Sequence, residues 1–219
     1  MKNAIIINLS PRKNGTSAML ANLCWEFLNC SEHQAEIINF YPNLKELSPI
    51  LKRINESDTI IMVGPCYIDC FPADTIYLLE QIIKNKEILQ GQNLYGIIQG
   101  GMPYVHTHES GLKMLELFSR ECNIVYKGGF VIGMGAMLNG QPLDKLPNGK
   151  KVKRLFDVFL KNIADGENSP EQLYHDAQLK MPGIIYHYMA KGMNKRIDKE
   201  SREKGIDSEQ QSPYLDIAE

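Results

Sequence analysis

Residues Ser10, Arg12, Asn14, Gly15, Thr16 and Ser17 stand between an isoleucine-rich run, Ala4 to Leu9, and the start of a helical pattern. A turn at that position exposes the unpartnered N–H groups of a helix's first turn, where the helix dipole is positive, and an anion such as a phosphate fits there. Hydroxyls at Ser10, Thr16 and Ser17 add donors, and Arg12 adds charge. The segment lacks the GxxxxGK[ST] loop and the GxGxxG fingerprint, so neither a Walker site nor a dinucleotide motif is written here. The competing interpretation is an ordinary polar turn that caps a helix.

Two further loops carry reactive or permissive residues. In the first, Gly64-Pro65-Cys66-Tyr67-Ile68-Asp69-Cys70 follows the apolar run Thr59 to Val63. In the second, Gly100-Gly101 follows Leu94 to Ile98 and leads to Tyr104, His106 and His108. Glycines here let a backbone approach a flat ligand and donate an N–H. Cys66 and Cys70 are four residues apart with no further thiol nearby, a spacing that argues against an iron–sulfur cluster. They read as two small half-buried residues more readily than as a redox pair. His106 and His108 lack the additional ligands zinc needs. Cys24, Cys30 and Cys122 fall on or near helix faces. His175 and His187, in the C-terminal helical segments, read as structural, and His33 as a residue of a polar turn.

The elements that must position these loops alternate. Short apolar runs at Ala4–Leu9, Ala35–Tyr41, Thr59–Val63, Leu94–Ile98 and Ile124–Ile132 read as strands, the central ones buried on both faces. Gly128-Gly129 inside the last suggests a bend or bulge. Between and after them lie helical patterns: Met19 to Leu28, a weaker one over 44–54 that holds Pro49, Ile76 to Ile83, Leu112 to Phe118, and Val152 to Ile163. Five β-α repeats predict a parallel sheet with helices on both faces. Ligands then sit beyond the carboxyl ends of the strands, which selects loops 10–16, 64–71 and 99–108. After Asp165-Gly166, Ser169-Pro170-Glu171-Gln172 has the form of a capping box that opens a helix. A second helical face, Ile184, Ile185, Tyr188 and Met189, precedes Lys191, Lys195, Arg196 and Lys199. The sequence thus divides into a domain over 1–165, a helical extension over 166–205 and a polar tail over 206–219.

Composition bounds the partners. The 219 residues are 43% hydrophobic with a formal net charge of −2, which excludes a disordered chain and disfavours bulk-basic nucleic-acid binding. The basic run 150–154 is interleaved with an apolar helix face and reads as solvated surface. The longest uncharged apolar stretch, Gly128 to Leu138, is short of the ~20 residues of a spanning helix, and the N-terminal apolar run is too short for a signal peptide. Five cysteines without CxxC pairs fit a reduced, cytoplasmic compartment.

NLSPRKNGTSAML resembles the Ser-Pro-Arg phosphate loop of the flavodoxin-like NAD(P)H-dependent FMN reductases. VGPCYIDCFPADTIYLLEQI is similar to that family's second flavin loop, and IIQGGMPYVH to its third. Together these stretches lie within residues 1–165. The resemblance implies a three-layer flavodoxin-like α/β sandwich with a five-stranded parallel sheet in the order 2-1-3-4-5, followed by the C-terminal helical extension. It implies that Ser10, Arg12, Asn14, Thr16 and Ser17 hold the FMN phosphate. Pro65, Cys66, Tyr67 and Ile68 would lie along the flavin ring, and Gly100, Gly101 and Tyr104 would cover its other edge. No side chain is implied as an acid–base catalyst. The activity implied is hydride transfer from NAD(P)H to bound FMN and on to a small acceptor: a quinone, a nitroaromatic compound or a flavin. A flavodoxin-type electron carrier and a non-enzymatic flavin-binding module are the alternatives. A homodimer is expected, with the extension covering a neighbouring subunit; no nucleic acid and no membrane are expected as partners.

Overall fold

In a computed structural model of the protein, residues 2–180 and 182–205 are described. They fall into two units that divide between Leu179 and Lys180. The first unit holds strands β1 (Lys2–Asn8), β2 (His33–Asn39), β3 (Thr59–Pro65), β4 (Asn93–Gln99) and β5 (Val125–Ile132). Its helices are α1 (Thr16–Asn29), α2 (Ser48–Asn55), α3 (Ala73–Lys84), α4 (Glu109–Glu121), α5 (Gly149–Asp165) and α6 (Gln172–Ala177). All strand pairs are parallel and the sheet order is β2-β1-β3-β4-β5. The fold class and strand order expected from the sequence are those observed.

The central strands are apolar on both sides because both sides are covered. Ile5, Ile6, Ile7, Ile61, Met62, Val63, Ile97 and Ile98 are all fully buried. Each such side chain contributes roughly 1.5–3 kcal/mol on burial. Neighbours on β4 show the two faces. Tyr95 packs edge-on against Phe159 of α5, ring centroids 6.1 Å apart. On the next residue, Gly96, a side chain would meet Leu112 and Leu115 of α4. Phe130, Phe156 and Phe159 complete the aromatic core under α5, with centroid separations of 5.3, 5.5 and 5.9 Å.

Local differences from the sequence reading have local causes. β2 begins at His33 and ends at Asn39, because pairing with β1 starts at Lys2 and the chain turns at Phe40 into a 3-10 segment, Tyr41–Asn43. Helix α2 begins only at Ser48, with Pro49 in its first turn, where a missing N–H costs nothing. The β4–β5 register slips by one residue at Lys127, between the pairs Leu94↔Tyr126 and Tyr95↔Gly128, with Gly128 at φ +113°.

The capping box at Ser169 does not form. Helix α6 starts three residues later, and the Ser169 hydroxyl has no hydrogen-bond partner. The reason is tertiary. Ser169 N–H donates to Lys127 O at 2.6 Å, forming a parallel bridge with Gly128 on the open edge of β5. This bridge blunts an edge strand, and it groups residues 166–179 with the first unit. Beyond α6, the Gln178 side chain accepts a hydrogen bond from Val105 N–H at 3.2 Å, tying the chain to the loop after β4.

The second unit, taken by itself, is α7 (Gly183–Glu203). Its charged end is laced by Arg196–Glu200 and Lys199–Glu203 pairs at i,i+4. Ile184, Ile185, Tyr188, Met193 and Ile197 are exposed on it. The tail read over 206–219 lies outside the described residues. No helix among the described residues is long and apolar enough to cross a membrane.

One substitution tests the edge bridge. At Gly128 a Cβ would stand 2.2 Å from the Ser169 carbonyl oxygen, and φ is positive. Gly128→Ala should therefore destabilise the protein by about 2 kcal/mol in urea unfolding. The same change should increase proteolytic cleavage between 166 and 179; unchanged stability and cleavage would contradict the bridge.

Candidate functional site

The carboxyl ends of β1, β3, β4 and β5 meet at one edge of the sheet, and a cleft of about 280 Å³ opens there. Its lining comes from four loops: Ser10, Arg12, Gly15 and Thr16; Pro65, Cys66 and Tyr67; Gln99, Gly100 and Gly101; Ala136 and Asn139. Eight of the twelve residues singled out from the sequence are brought together here: Ser10, Arg12, Thr16, Pro65, Cys66, Tyr67, Gly100 and Gly101.

The other four do not line it. Asn14 is exposed beside the cleft. Ser17 is buried beneath it and accepts a hydrogen bond from Gln99 Nε2 at 3.3 Å. Ile68 is 99% exposed at the tip of its loop. Tyr104 stacks on His106, centroids 5.6 Å apart and planes 19° apart.

The first loop is shaped by its own side chains. Ser10 N–H donates to Asn8 Oδ1 at 3.2 Å, and Arg12 N–H donates to Ser10 Oγ at 3.2 Å. Helix α1 then starts after Gly15, which has no side chain to cap it. The first-turn N–H groups are therefore left to a ligand. Arg12 is exposed and forms no ion pair among the described residues. Among the described residues no carboxylate lines the cleft. An uncompensated guanidinium beside a bare helix N-terminus is a setting that favours an anion.

The second loop is a tight turn. Tyr67 N–H donates to Cys70 O at 2.6 Å, and the central residues Ile68 and Asp69 have φ of +50° and +63°. Those angles are those of a type I′ turn. A β-branched residue there is strained by roughly 1–2 kcal/mol. Ser110 Oγ–H donates to Asp69 O at 2.6 Å and holds the turn in place. Cys66 continues the ladder, its N–H donating to Gln99 O at 2.7 Å, and its thiol donates to Thr107 O at 3.4 Å. Burial, assisted by Asp69 and Cys70, pushes the Cys66 thiol up to about 11, so it stays neutral. Cys70 Sγ lies 3.7 Å from Met114 Sδ. Among the described residues no group of three His, Cys, Asp or Glu side chains is placed to hold a metal ion.

The third loop rests on His108. Its ring is 2% exposed, and Nε2–H donates to Met102 O at 3.1 Å, the tautomer a carbonyl acceptor requires. Nδ1 is buried without a partner. A Cβ on Gly100 would lie 2.5 Å from His108 Cε1, so only glycine lets the loop settle onto the imidazole. His106, two residues away, stacks outside on Tyr104, so the two imidazoles do not share a site.

The fourth loop, after β5, was not singled out from the sequence. Its signals were present: a strand end at the same sheet edge, and the glycines of Gly133-Met134-Gly135-Ala136-Met137-Leu138-Asn139-Gly140. Met134 N–H donates to Met102 O at 2.9 Å and Ala136 N–H to Gly100 O at 3.2 Å, which binds this loop to the third.

The cleft therefore has an end where the positive charge of Arg12 is unopposed, an end bordered by Gly100, Gly101, Pro65 and Tyr67, and, among the described residues, no side chain placed as a general acid or base. Three-dimensional comparison bears on what such an arrangement belongs to. The apo form of an NADH:FMN oxidoreductase superposes with a TM-score of 0.57 at 15% identity, over 80% of this chain and 94% of its own. The fold is flavodoxin-like. A WrbA-like flavodoxin from Agrobacterium tumefaciens gives 0.54 at 12% identity, over 76% and 99% of the two chains. A flavodoxin from the domain Archaea gives 0.52 at 15%, over 74% and 97%. No family model and no curated protein matches the sequence.

The buried His108 makes a pH prediction. Burial is the largest influence on its ring and lowers its pKa from the ordinary 6.5, outweighing the Met102 and Thr107 carbonyls and Asp69; His106 lowers it further. The unfolded chain then binds the proton more readily than the folded one. Stability from this group is complete above about pH 6.5 and drains as pH falls from there toward the folded-state value. Assigned NMR titration should show His108 neutral below pH 6.5, with the melting temperature falling on acidification; a ring that protonates at or above 6.5 would contradict its burial beneath Gly100.

Proposed function

We propose that the protein belongs with the flavodoxin-like NAD(P)H-dependent FMN reductases: an FMN-dependent oxidoreductase that takes a hydride from NAD(P)H and delivers electrons to a small acceptor, such as a quinone, a nitroaromatic compound or a flavin. The observation that carries the proposal is the union, in one acid-free cleft, of an unpaired Arg12, the uncapped start of α1 and the Gly100-Gly101 floor. These residues fit FMN: a dianionic phosphate needs the first two, and a planar ring needs the third.

FMN supplies the redox chemistry when bound, accepting a hydride and releasing electrons. The chain's own part is to bind and orient. Arg12 and the first-turn N–H groups of α1 hold the phosphate. Gly100 and Gly101 let backbone approach the ring edge, and it is the Gly101 N–H that would donate there, since the Gly100 N–H is held by Ile132 O at 3.3 Å. Cys66, kept as a thiol, adds no charge beside the ring. Tyr67, 48% exposed, is the aromatic side chain that lines the cleft, so one ring face is left for a nicotinamide or an acceptor.

The same proposal includes a homodimer in the cytoplasm. The exposed apolar residues of α7 support association with a second copy, and five free cysteines suit a reducing compartment.

Two measurements test it. Purified protein should carry or bind FMN, and Arg12→Ala should weaken that binding by about 1.5–3 kcal/mol, roughly ten- to a hundredfold. Under anaerobic conditions NADH or NADPH should bleach the bound flavin at least as fast as steady-state turnover. Tight FMN binding without bleaching by either nucleotide would turn the assignment to an electron carrier.

A further inference from the structure

The resemblance assigns the Thr16 hydroxyl to the phosphate, but the structure spends it elsewhere. Thr16 is 4% exposed. Its Oγ1–H donates to Gly135 O at 2.8 Å, and the same oxygen accepts from Gly140 N–H at 3.3 Å. A hydroxyl has one hydrogen, and here a carbonyl takes it. One side chain thereby pins both feet of a six-residue segment, 135–140, to the start of α1.

Two residues of that segment, Ala136 and Asn139, line the cleft. At one foot, Ala136 Cβ would lie 4.0 Å from a Cβ on Gly101, at the flat end. At the other, Gly140 has φ +86°, and a Cβ there would lie 2.5 Å from Asn14 O, at the anion end. Leu138 anchors the middle in the core at 3% exposure. Both Met134 and Asn139 have positive φ, +59° and +47°. The left-handed conformation of Asn139 keeps it on the wall, where its exposed carboxamide lines the same cleft as Arg12 and Gly15 and has no hydrogen-bond partner among the described residues.

We propose that residues 135–140 form a fourth wall of the ligand cleft, that Thr16 is the latch that holds this wall closed rather than a phosphate ligand, and that Asn139 is the wall's contact with the phosphate end of the ligand. The proposal rests on FMN as the occupant. A latch and a phosphate ligand leave different signatures. Loss of a phosphate ligand weakens FMN and spares riboflavin, which has no phosphate. Loss of a latch frees a wall that borders both ends of the cleft, and both ligands suffer.

The experiment measures FMN and riboflavin binding by fluorescence quenching for the wild type, Thr16→Val, Thr16→Ser and Asn139→Asp, with amide hydrogen exchange of 135–140 in the free protein. Thr16→Val keeps the shape and removes both bonds; it should weaken FMN and riboflavin alike by about tenfold and speed exchange across 135–140. Thr16→Ser keeps the hydroxyl and should stay within about threefold of wild type. Asn139→Asp places a carboxylate beside the phosphate; it should weaken FMN by about tenfold and leave riboflavin unchanged. Selective loss of FMN in Thr16→Val would return Thr16 to the phosphate and overturn the latch. Equal or absent effects of Asn139→Asp on the two flavins would overturn the Asn139 contact. If wild-type protein binds neither flavin, the functional proposal fails, while exchange still decides the latch. The Gly140 amide of the wild type should be protected, and fast exchange there would overturn the latch even if Thr16→Val did not fold.

Discussion

A strand that is apolar on both sides has to be covered on both sides, and most of this molecule follows from that requirement. β1, β3 and β4 carry isoleucine, valine and leucine without alternation, so neither face can meet water. Helices must return the chain across each face between strands, and parallel strands joined by right-handed crossovers all end at the same edge. The hydrophobic demand of the sheet interior thus gathers the loops after β1, β3, β4 and β5 in one place. The site is a consequence of the core.

Gathering loops does not hold them still. Each loop at this edge is fixed by bonds to another: Cys66 to the end of β4 and to Thr107, Ser110 to Asp69, Met134 and Ala136 to the third loop, Thr16 to both feet of 135–140. Glycine makes the close approaches possible. A side chain at Gly100 would strike the His108 ring, and one at Gly140 would strike the backbone of Asn14. The result is a cleft whose loops hold one another, and mutual support of this kind lowers the ordering cost of binding. α6 extends the same logic outward, since Ser169 bridges the β5 edge and Gln178 holds Val105.

The electrostatic character of the site comes from what is missing around Arg12. A surface arginine commonly finds a carboxylate, as Arg53 and Arg120 do here with Glu36, Glu56 and Glu116. Arg12 has none among the described residues, and at the helix end beside it Gly15 offers no capping side chain. Positive charge left uncompensated in a concave, acid-free setting attracts an anion, and strained Ile68 at the tip of the neighbouring turn is a second departure from local preference.

By itself the sequence determined the succession of elements, five apolar runs alternating with amphipathic helices, and hence a parallel α/β sheet whose loops gather at the strand ends. It also put Arg12 and Gly15 into one short turn, a local arrangement that is legible without the fold. Tertiary structure decided the rest, wherever a residue's role depends on a distant partner. Thr16 and Ser17 look alike in the sequence, yet Thr16 meets Gly135 and Gly140 while Ser17 meets Gln99. Ser169 has the residues of a capping box, but the open edge of β5 competes for its backbone and wins. His106 and His108 are two positions apart, yet His108 is buried under Gly100 while His106 is exposed and stacks on Tyr104. The fourth wall stayed unread for the same reason: Asn139 and Arg12 are remote in the chain, and only the sheet's common edge brings them to one cleft.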